Sequence, residues 1–162
     1  KIIVNVRNPY ETIPSLMSLM RGGWKGMGWD DAQQAETLSI LADQSFDTYL
    51  HPIEALDANP NTKAAIIDYR DLTSDPAATI EKLYSDLDLP MTEEYREVLA
   101  QQGKRERKHN AKHEYSLEQF GLKADEIRTR LDVLFDRFGW EDEAPVAGGG
   151  DSPAVIEGTP DV

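Results

Sequence analysis

The chain opens on a run of β-branched residues, Ile2, Ile3, Val4 and Val6. A continuous apolar run of this kind is typical of a strand that is covered on both faces, as in parallel α/β sheets. We therefore predict a strand over residues 1–7. A second apolar run at residues 64–69 predicts a second buried strand of the same type.

Apolar residues recur at helical spacing between and after these runs, which predicts a helix-rich C-terminal half. Side chains that commonly cap helices precede several of these segments. Five helices are predicted. The first spans about 9–21, the second begins after Asp30 or Asp31, and the third begins at Asp75. The fourth runs from Thr92 through Leu99, and the last spans about 124–138. Ser116 and Gln119 have the spacing of a further capping box.

Residues 21–29 contain four glycines and two tryptophans, and they predict a flexible loop between the first two helices. Two interpretations of this loop remain open. Its glycines and aromatic rings suit a mobile lid over an acceptor molecule. Alternatively, Trp24 and Trp29 anchor an ordinary surface loop to the core.

The start of the first helix contains the strongest candidate chemistry. Asn8 can cap this helix, Pro9 suits its first position, and Glu11 has the spacing of a capping box. Because Arg7 stands directly before this helix start, the arrangement favours a bound dianion. The alternative is that Arg7 closes the strand by pairing with an acidic side chain.

The net charge of −13 argues against a general nucleic-acid binder, because phosphate backbones favour a basic surface. Charge is unevenly distributed, since residues 104–113 carry +4 and residues 141–162 carry −6. A local basic segment on an acidic chain indicates a small anionic ligand. We expect the acidic, Gly- and Pro-containing tail at 141–162 to be disordered, because it has too few apolar residues to pack.

The chain has no cysteine, which excludes disulfides, thiolate catalysis and Cys-ligated zinc. No apolar run approaches the length that spans a bilayer. We expect a cytoplasmic protein without a membrane segment. Neither the oligomeric state nor the acceptor follows from the sequence.

Three segments in order resemble the sulfotransferases that use 3′-phosphoadenosine 5′-phosphosulfate. The first is Arg7-Asn8-Pro9 followed by Ser15, which is similar to their 3′-phosphate-binding motif. The second is residues 68–72 with Asp75 and Pro76, and the third is residues 108–122. The resemblance covers residues 1–140 and implies the C-terminal part of a P-loop-like three-layer fold with a parallel sheet.

The resemblance also implies which residues bind the nucleotide. Arg7 and Ser15 would bind the 3′-phosphate, although Pro14 interrupts the helix beside Ser15. Tyr69 would contact the adenine, although the family carries Glu where this chain has Arg70. In the basic segment, Arg105 and Lys108 are the weaker candidates for a loop that folds over the phosphate. As single residues, Ser15, Tyr69, Arg105 and Lys108 also fit ordinary surface or interface roles.

The implied reaction moves a sulfuryl group to a hydroxyl or amine of a small molecule or glycan. It leaves adenosine 3′,5′-bisphosphate as the product, and no metal is expected to take part. The family's donor loop and catalytic base lie upstream of the matching segments, so we expect this chain to be inactive alone, and the catalytic residue is not assigned. Two other hypotheses remain: a non-catalytic nucleotide- or anion-binding module, and a helical interaction domain whose basic segment and acidic tail meet each other or a partner.

Overall fold

A computed structural model describes residues 1–106 and 116–140, with the backbone alone over 102–106. Two strands, β1 (Ile2–Val6) and β2 (Ala64–Asp68), pair in parallel, with Val6 opposite Asp68. The parallel sheet predicted from the two apolar runs is thus confirmed. The helices are α1 (Pro9–Gly26), α2 (Asp31–Ala58), α3 (Tyr69–Ser74), α4 (Pro76–Asp86), α5 (Glu93–Glu106), a short 3₁₀ helix (Glu118–Phe120), α6 (Ala124–Arg130) and α7 (Asp132–Phe138).

Helices cover both faces of β2. On one face, Val6 and Ile66 join a core that contains buried side chains of α1, α2, α6 and α7. On the other face, Ala65 packs with Leu83 of α4 and with Leu87. Successive side chains of a strand point to opposite faces, so a continuous apolar strand can satisfy two cores. The described residues therefore form a helix–sheet–helix arrangement, which is compatible with the predicted α/β class.

The prediction that β1 is covered on both faces is wrong for its first residues. Ile2 and Ile3 remain 46% and 52% exposed. Helix α4 packs on β2, whereas β1 makes its extensive contacts with β2. An apolar run predicts that a strand forms, but burial depends on which elements reach it.

Helix α1 continues to Gly26, about five residues beyond the predicted end. Glycine weakens a helix without forbidding it, and an added Cβ at Gly22 or Gly23 would meet no atom within 4 Å. The predicted flexible loop is therefore reduced to a short turn after Gly26, and Trp24 of α1 stacks on Trp29 beyond this turn with ring centroids 5.2 Å apart. The two rings stack on each other with Trp29 37% exposed, so they do not anchor this segment in the core, and the lid interpretation stays a prediction.

Helix α2 begins as predicted from its cap. Asp30 accepts a hydrogen bond from the backbone N–H of Gln33 at 2.8 Å, and the Gln33 side chain completes a capping box. Asp75 and Thr92 likewise accept hydrogen bonds from the first turns of α4 and α5. Helix α5 then passes through Gly103 and is longer than predicted.

Two predictions near the C-terminal end are wrong. The helix predicted over 124–138 is divided into α6 and α7 at Leu131, which is fully buried. No Gly or Pro signals this break, so the tertiary packing of Leu131 must set it. The capping box predicted for Ser116 and Gln119 does not form, because the Ser116 hydroxyl bonds the Glu118 carboxylate at the start of the 3₁₀ helix. The predicted acidic tail lies outside the described residues.

Candidate functional site

The carboxyl ends of β1 and β2 bring two predicted site residues together. Because Val6 and Asp68 are opposite each other in the parallel pair, the residues that follow them, Arg7 and Tyr69, become neighbours. The guanidinium carbon of Arg7 lies 4.6 Å from the centroid of the Tyr69 ring. Ligands of open α/β sheets bind at this edge. We therefore take the edge between these two residues as the candidate site.

The guanidinium of Arg7 is also paired with an acid. Its Nε–H donates to Oε2 of Glu11 at 2.7 Å, and one terminal nitrogen lies 2.6 Å from the same oxygen in an ion pair. The side chains of Arg7 and Glu11 are 42% and 54% exposed, so the pair lies at the surface. The acid-paired arrangement that the sequence left open is therefore present, and it coexists with the Tyr69 contact. Phosphate binding by Arg7 stays a prediction.

The backbone around Arg7 is held from three directions. The Tyr49 hydroxyl of α2 donates to the Arg7 carbonyl at 2.7 Å, and burial is the main cause that raises the pKa of Tyr49 to about 12. Asn8 is buried, and its side chain caps α1 by accepting the backbone N–H of Tyr10 at 2.9 Å. The Tyr10 hydroxyl in turn donates to the Ala124 carbonyl at 3.3 Å. The start of α1 is thus fixed to α2 and to α6.

Ser15 lies one helical turn beyond Glu11 on α1, so both side chains are on the same side of the helix. Ser15 is half-buried. Pro14, which was expected to disturb this region, is buried within a helix that continues past it. The structure therefore places Ser15 on the same side of α1 as the partner of Arg7.

The two basic candidates cannot be compared with this site. Arg105 falls in the last turn of α5, where the backbone alone is described. Lys108 lies outside the described residues. Their contact with a phosphate stays a prediction.

Sequence reasoning missed a buried polar network that begins one residue before Tyr69. Asp68 is 9% exposed and accepts the Nε1–H of Trp140 at 3.1 Å. It also accepts the backbone N–H of Arg70 at 2.8 Å and the Arg70 guanidinium at 2.7 Å. That guanidinium further donates to the carbonyls of Phe138 and Gly139. The network joins the end of β2 to the end of α7.

The ionisation of Asp68 follows from these contacts. Burial by itself raises the pKa of the carboxyl, whereas the hydrogen bonds from Arg70 and Trp140 lower it by more. The net result is a pKa below its ordinary value, so Asp68 is a carboxylate at neutral pH. Arg70, which departs from the acid expected at this position, is therefore the counter-charge of Asp68. In the sequence, the only indication of this network is the Asp68–Arg70 spacing, because nothing there identifies Trp140 as a partner.

A separate cavity of about 400 Å³ lies between α2 and the segment that follows the 3₁₀ helix. Leu38 and Phe46 of α2 line it together with Phe120 and Leu122. The segment 119–122 belongs to the third region of family resemblance. The structure thus places residues 119–122 against α2.

The described residues contain no group of three or more His, Cys, Asp or Glu side chains that is arranged to hold a metal ion. Within the same ranges, each helix is too short or too polar to cross a bilayer.

Comparison with protein families gave a match. The model of a sulfotransferase family matches residues 1–93, a range that contains both strands, Arg7, Ser15 and Tyr69. Searches of curated proteins and of solved structures found no match. The matched range is more than half of the 162 residues, and it includes the strand edge described above. The chain therefore belongs to the sulfotransferase family.

Proposed function

We propose that the carboxyl ends of β1 and β2 bind the 3′-phosphate and adenine of 3′-phosphoadenosine 5′-phosphosulfate. Membership of the sulfotransferase family implies sulfuryl transfer in general. The observation that carries the finer proposal is the approach of the Arg7 guanidinium to 4.6 Å from the Tyr69 ring. A cation and an aromatic face are thereby combined at one sheet edge, the cation suited to the 3′-phosphate and the ring to the adenine.

Each residue has a distinct part in this proposal. Arg7 offers its planar guanidinium to the dianionic phosphate, because such forks bind phosphate oxygens in pairs. Ser15 offers a hydroxyl donor from the same side of α1. Tyr69 offers a half-buried ring to the adenine, since aromatic faces stack on bases. We add Arg105 and Lys108 as further cations near the phosphate.

The donor supplies the activated sulfuryl group. In the proposed transfer, the bond from sulfur to the phosphate oxygen breaks while sulfur bonds to a hydroxyl or amine of a small molecule or glycan, which loses its proton. Adenosine 3′,5′-bisphosphate is left. The residues named above hold this nucleotide in place, and positioning of this kind contributes much of the rate in related group transfers.

A thermal melt with adenosine 3′,5′-bisphosphate tests the proposal, with adenosine 5′-monophosphate as the ligand that lacks the 3′-phosphate. Ligand at one hundred times its Kd stabilises the folded state by about 2.7 kcal/mol. We expect the bisphosphate to raise Tm and the monophosphate to raise it less. Arg7→Ala is expected to lose the difference between the two ligands.

The matched control is Arg130→Ala. Arg130 also pairs with an acid, Asp43 at 2.6 Å, and also covers a ring, Phe46 at 3.8 Å, but Arg130 lies on α6 and both partners lie on α2. It is therefore expected to keep the bisphosphate shift. An equal shift in the Arg7→Ala and native proteins would refute the role of Arg7. The absence of any shift in the folded native protein would favour the interaction-domain hypothesis.

A further inference from the structure

We propose that Glu11 is an internal competitor for Arg7, which lowers the affinity of the site for the product and speeds its release. This inference rests on the proposed function, because it assumes that Arg7 binds the 3′-phosphate. In the free protein the Glu11 carboxylate pairs with the Arg7 guanidinium. The 3′-phosphate displaces this carboxylate when the nucleotide binds, and the carboxylate pairs with Arg7 again when the nucleotide leaves. Glu11 is therefore a specificity-determining residue that favours dianions over weaker anions.

The geometry of the pair supports competition. A single oxygen of Glu11 accepts the hydrogen bond of Nε and lies 2.6 Å from one terminal nitrogen of Arg7, so the lateral edge of the guanidinium is occupied. Tyr69 lies against the guanidinium face. A phosphate that binds the lateral edge must displace the carboxylate. A phosphate that binds the remaining edge would share one cation with Glu11, and the like charges would repel.

The exchange requires no rearrangement of the fold. The Glu11 side chain is 54% exposed, so it can turn into solvent. Glu11 also lies in the first turn of α1, where the helix dipole stabilises a negative charge even without Arg7. Exposed ion pairs are weak, and a dianionic phosphate binds a guanidinium more strongly than a single carboxylate does. The phosphate therefore displaces Glu11, but it binds with lower affinity than it would without the competing carboxylate.

Titration calorimetry and stopped-flow dissociation of adenosine 3′,5′-bisphosphate test this inference in the native protein and in Glu11→Gln. Removal of the competing charge is expected to tighten binding about fivefold, mainly through slower dissociation. Adenosine 5′-monophosphate, which lacks the 3′-phosphate, is expected to bind both proteins equally. The gain is expected to shrink at high salt, because the charges are exposed.

Glu81→Gln is the matched control. Glu81 pairs with Arg96 at 3.1 Å, and the two side chains are 45% and 43% exposed, close to the values of Glu11 and Arg7. Its loss is expected to leave nucleotide binding unchanged. Glu11→Ala serves as a second variant, which is expected to behave like Glu11→Gln, and a melt without ligand shows that each variant is folded.

The outcomes separate this inference from the proposed function. Weaker binding by both Glu11 variants would mean that Glu11 positions Arg7, and unchanged binding would mean that it does not compete. Either result overturns the inference while Arg7→Ala still loses the 3′-phosphate preference. If Arg7→Ala keeps that preference, the proposed function fails and the inference fails with it.

Discussion

Asp68→Asn is expected to destabilise the fold by removing the charge at the centre of the β2–α7 network. The native carboxylate accepts hydrogen bonds from two residues, the backbone and guanidinium of Arg70 and the indole of Trp140. An asparagine retains one acceptor oxygen, but its amide directs N–H groups toward one of these donors. The variant therefore loses hydrogen bonds and also leaves the Arg70 guanidinium without its counter-charge.

The expected cost follows from the exposure of the two donors. A hydrogen bond to a charged group contributes about 1.5–3 kcal/mol. Trp140 is fully buried and cannot exchange its lost acceptor for water, whereas Arg70 is 43% exposed and can be partly rehydrated. We therefore expect a loss of about 2 kcal/mol in the free energy of unfolding. In a chain of this size that corresponds to a fall in Tm of about 4–8 °C.

The same contacts fix the sign of the pH dependence. The pKa of Asp68 is lower in the folded protein than in the unfolded chain, so its stabilising contribution is complete above the unfolded value of about 3.9. That contribution is lost as the pH falls through the lower folded value. The stability difference between the native protein and Asp68→Asn is expected to be constant near neutral pH and to shrink below about pH 4.

Urea denaturation followed by tryptophan fluorescence measures this difference, because one of the three tryptophans, Trp140, lies in the network. Asp57→Asn is the matched control, since Asp57 pairs with Arg137 at 2.8 Å but is 58% exposed. Its loss is expected to cost less than about 1 kcal/mol. If Asp68→Asn is no less stable than Asp57→Asn, the network does not contribute as a buried charge centre and the reasoning is refuted.

Two further predictions concern other parts of the fold. In an ultraviolet titration, Tyr49 is expected to ionise near pH 12. Because its pKa is raised in the folded state, its stabilising contribution is complete below about pH 10 and is lost as the pH rises to 12. Tyr49→Phe should abolish this ionisation and cost about 1 kcal/mol, and a variant that titrates near pH 12 in the same way as the native protein would contradict the assignment. Gly139→Ala is expected to destabilise by about 1–2 kcal/mol, because φ there is 63°, whereas Gly23→Ala in the interior of α1 should stabilise by about 0.5–1 kcal/mol. Urea denaturation of both variants checks the opposite signs, and the same sign in both would refute the conformational explanation.

The features that depend on neighbouring residues were predictable. The two apolar runs predicted both strands and their parallel pairing, and Asn8, Asp30 and Asp75 cap the helices that they precede. A cap involves residues two or three positions apart, so its chemistry is contained in a short stretch of sequence. The resemblance to sulfotransferases likewise depended on short motifs, and the family match confirmed it.

The features that depend on distant residues were decided by the tertiary structure. Arg7 meets Tyr69 because the parallel register aligns two strand ends that are far apart in the chain. Asp68 and Trp140 are separated by 72 positions, and no local pattern joins them. The helix break at buried Leu131 and the exposure of Ile3 are likewise consequences of packing. Secondary structure and caps form through interactions between residues that are close in the sequence. The partners of Arg7 and Asp68 depend instead on how the folded elements pack around them.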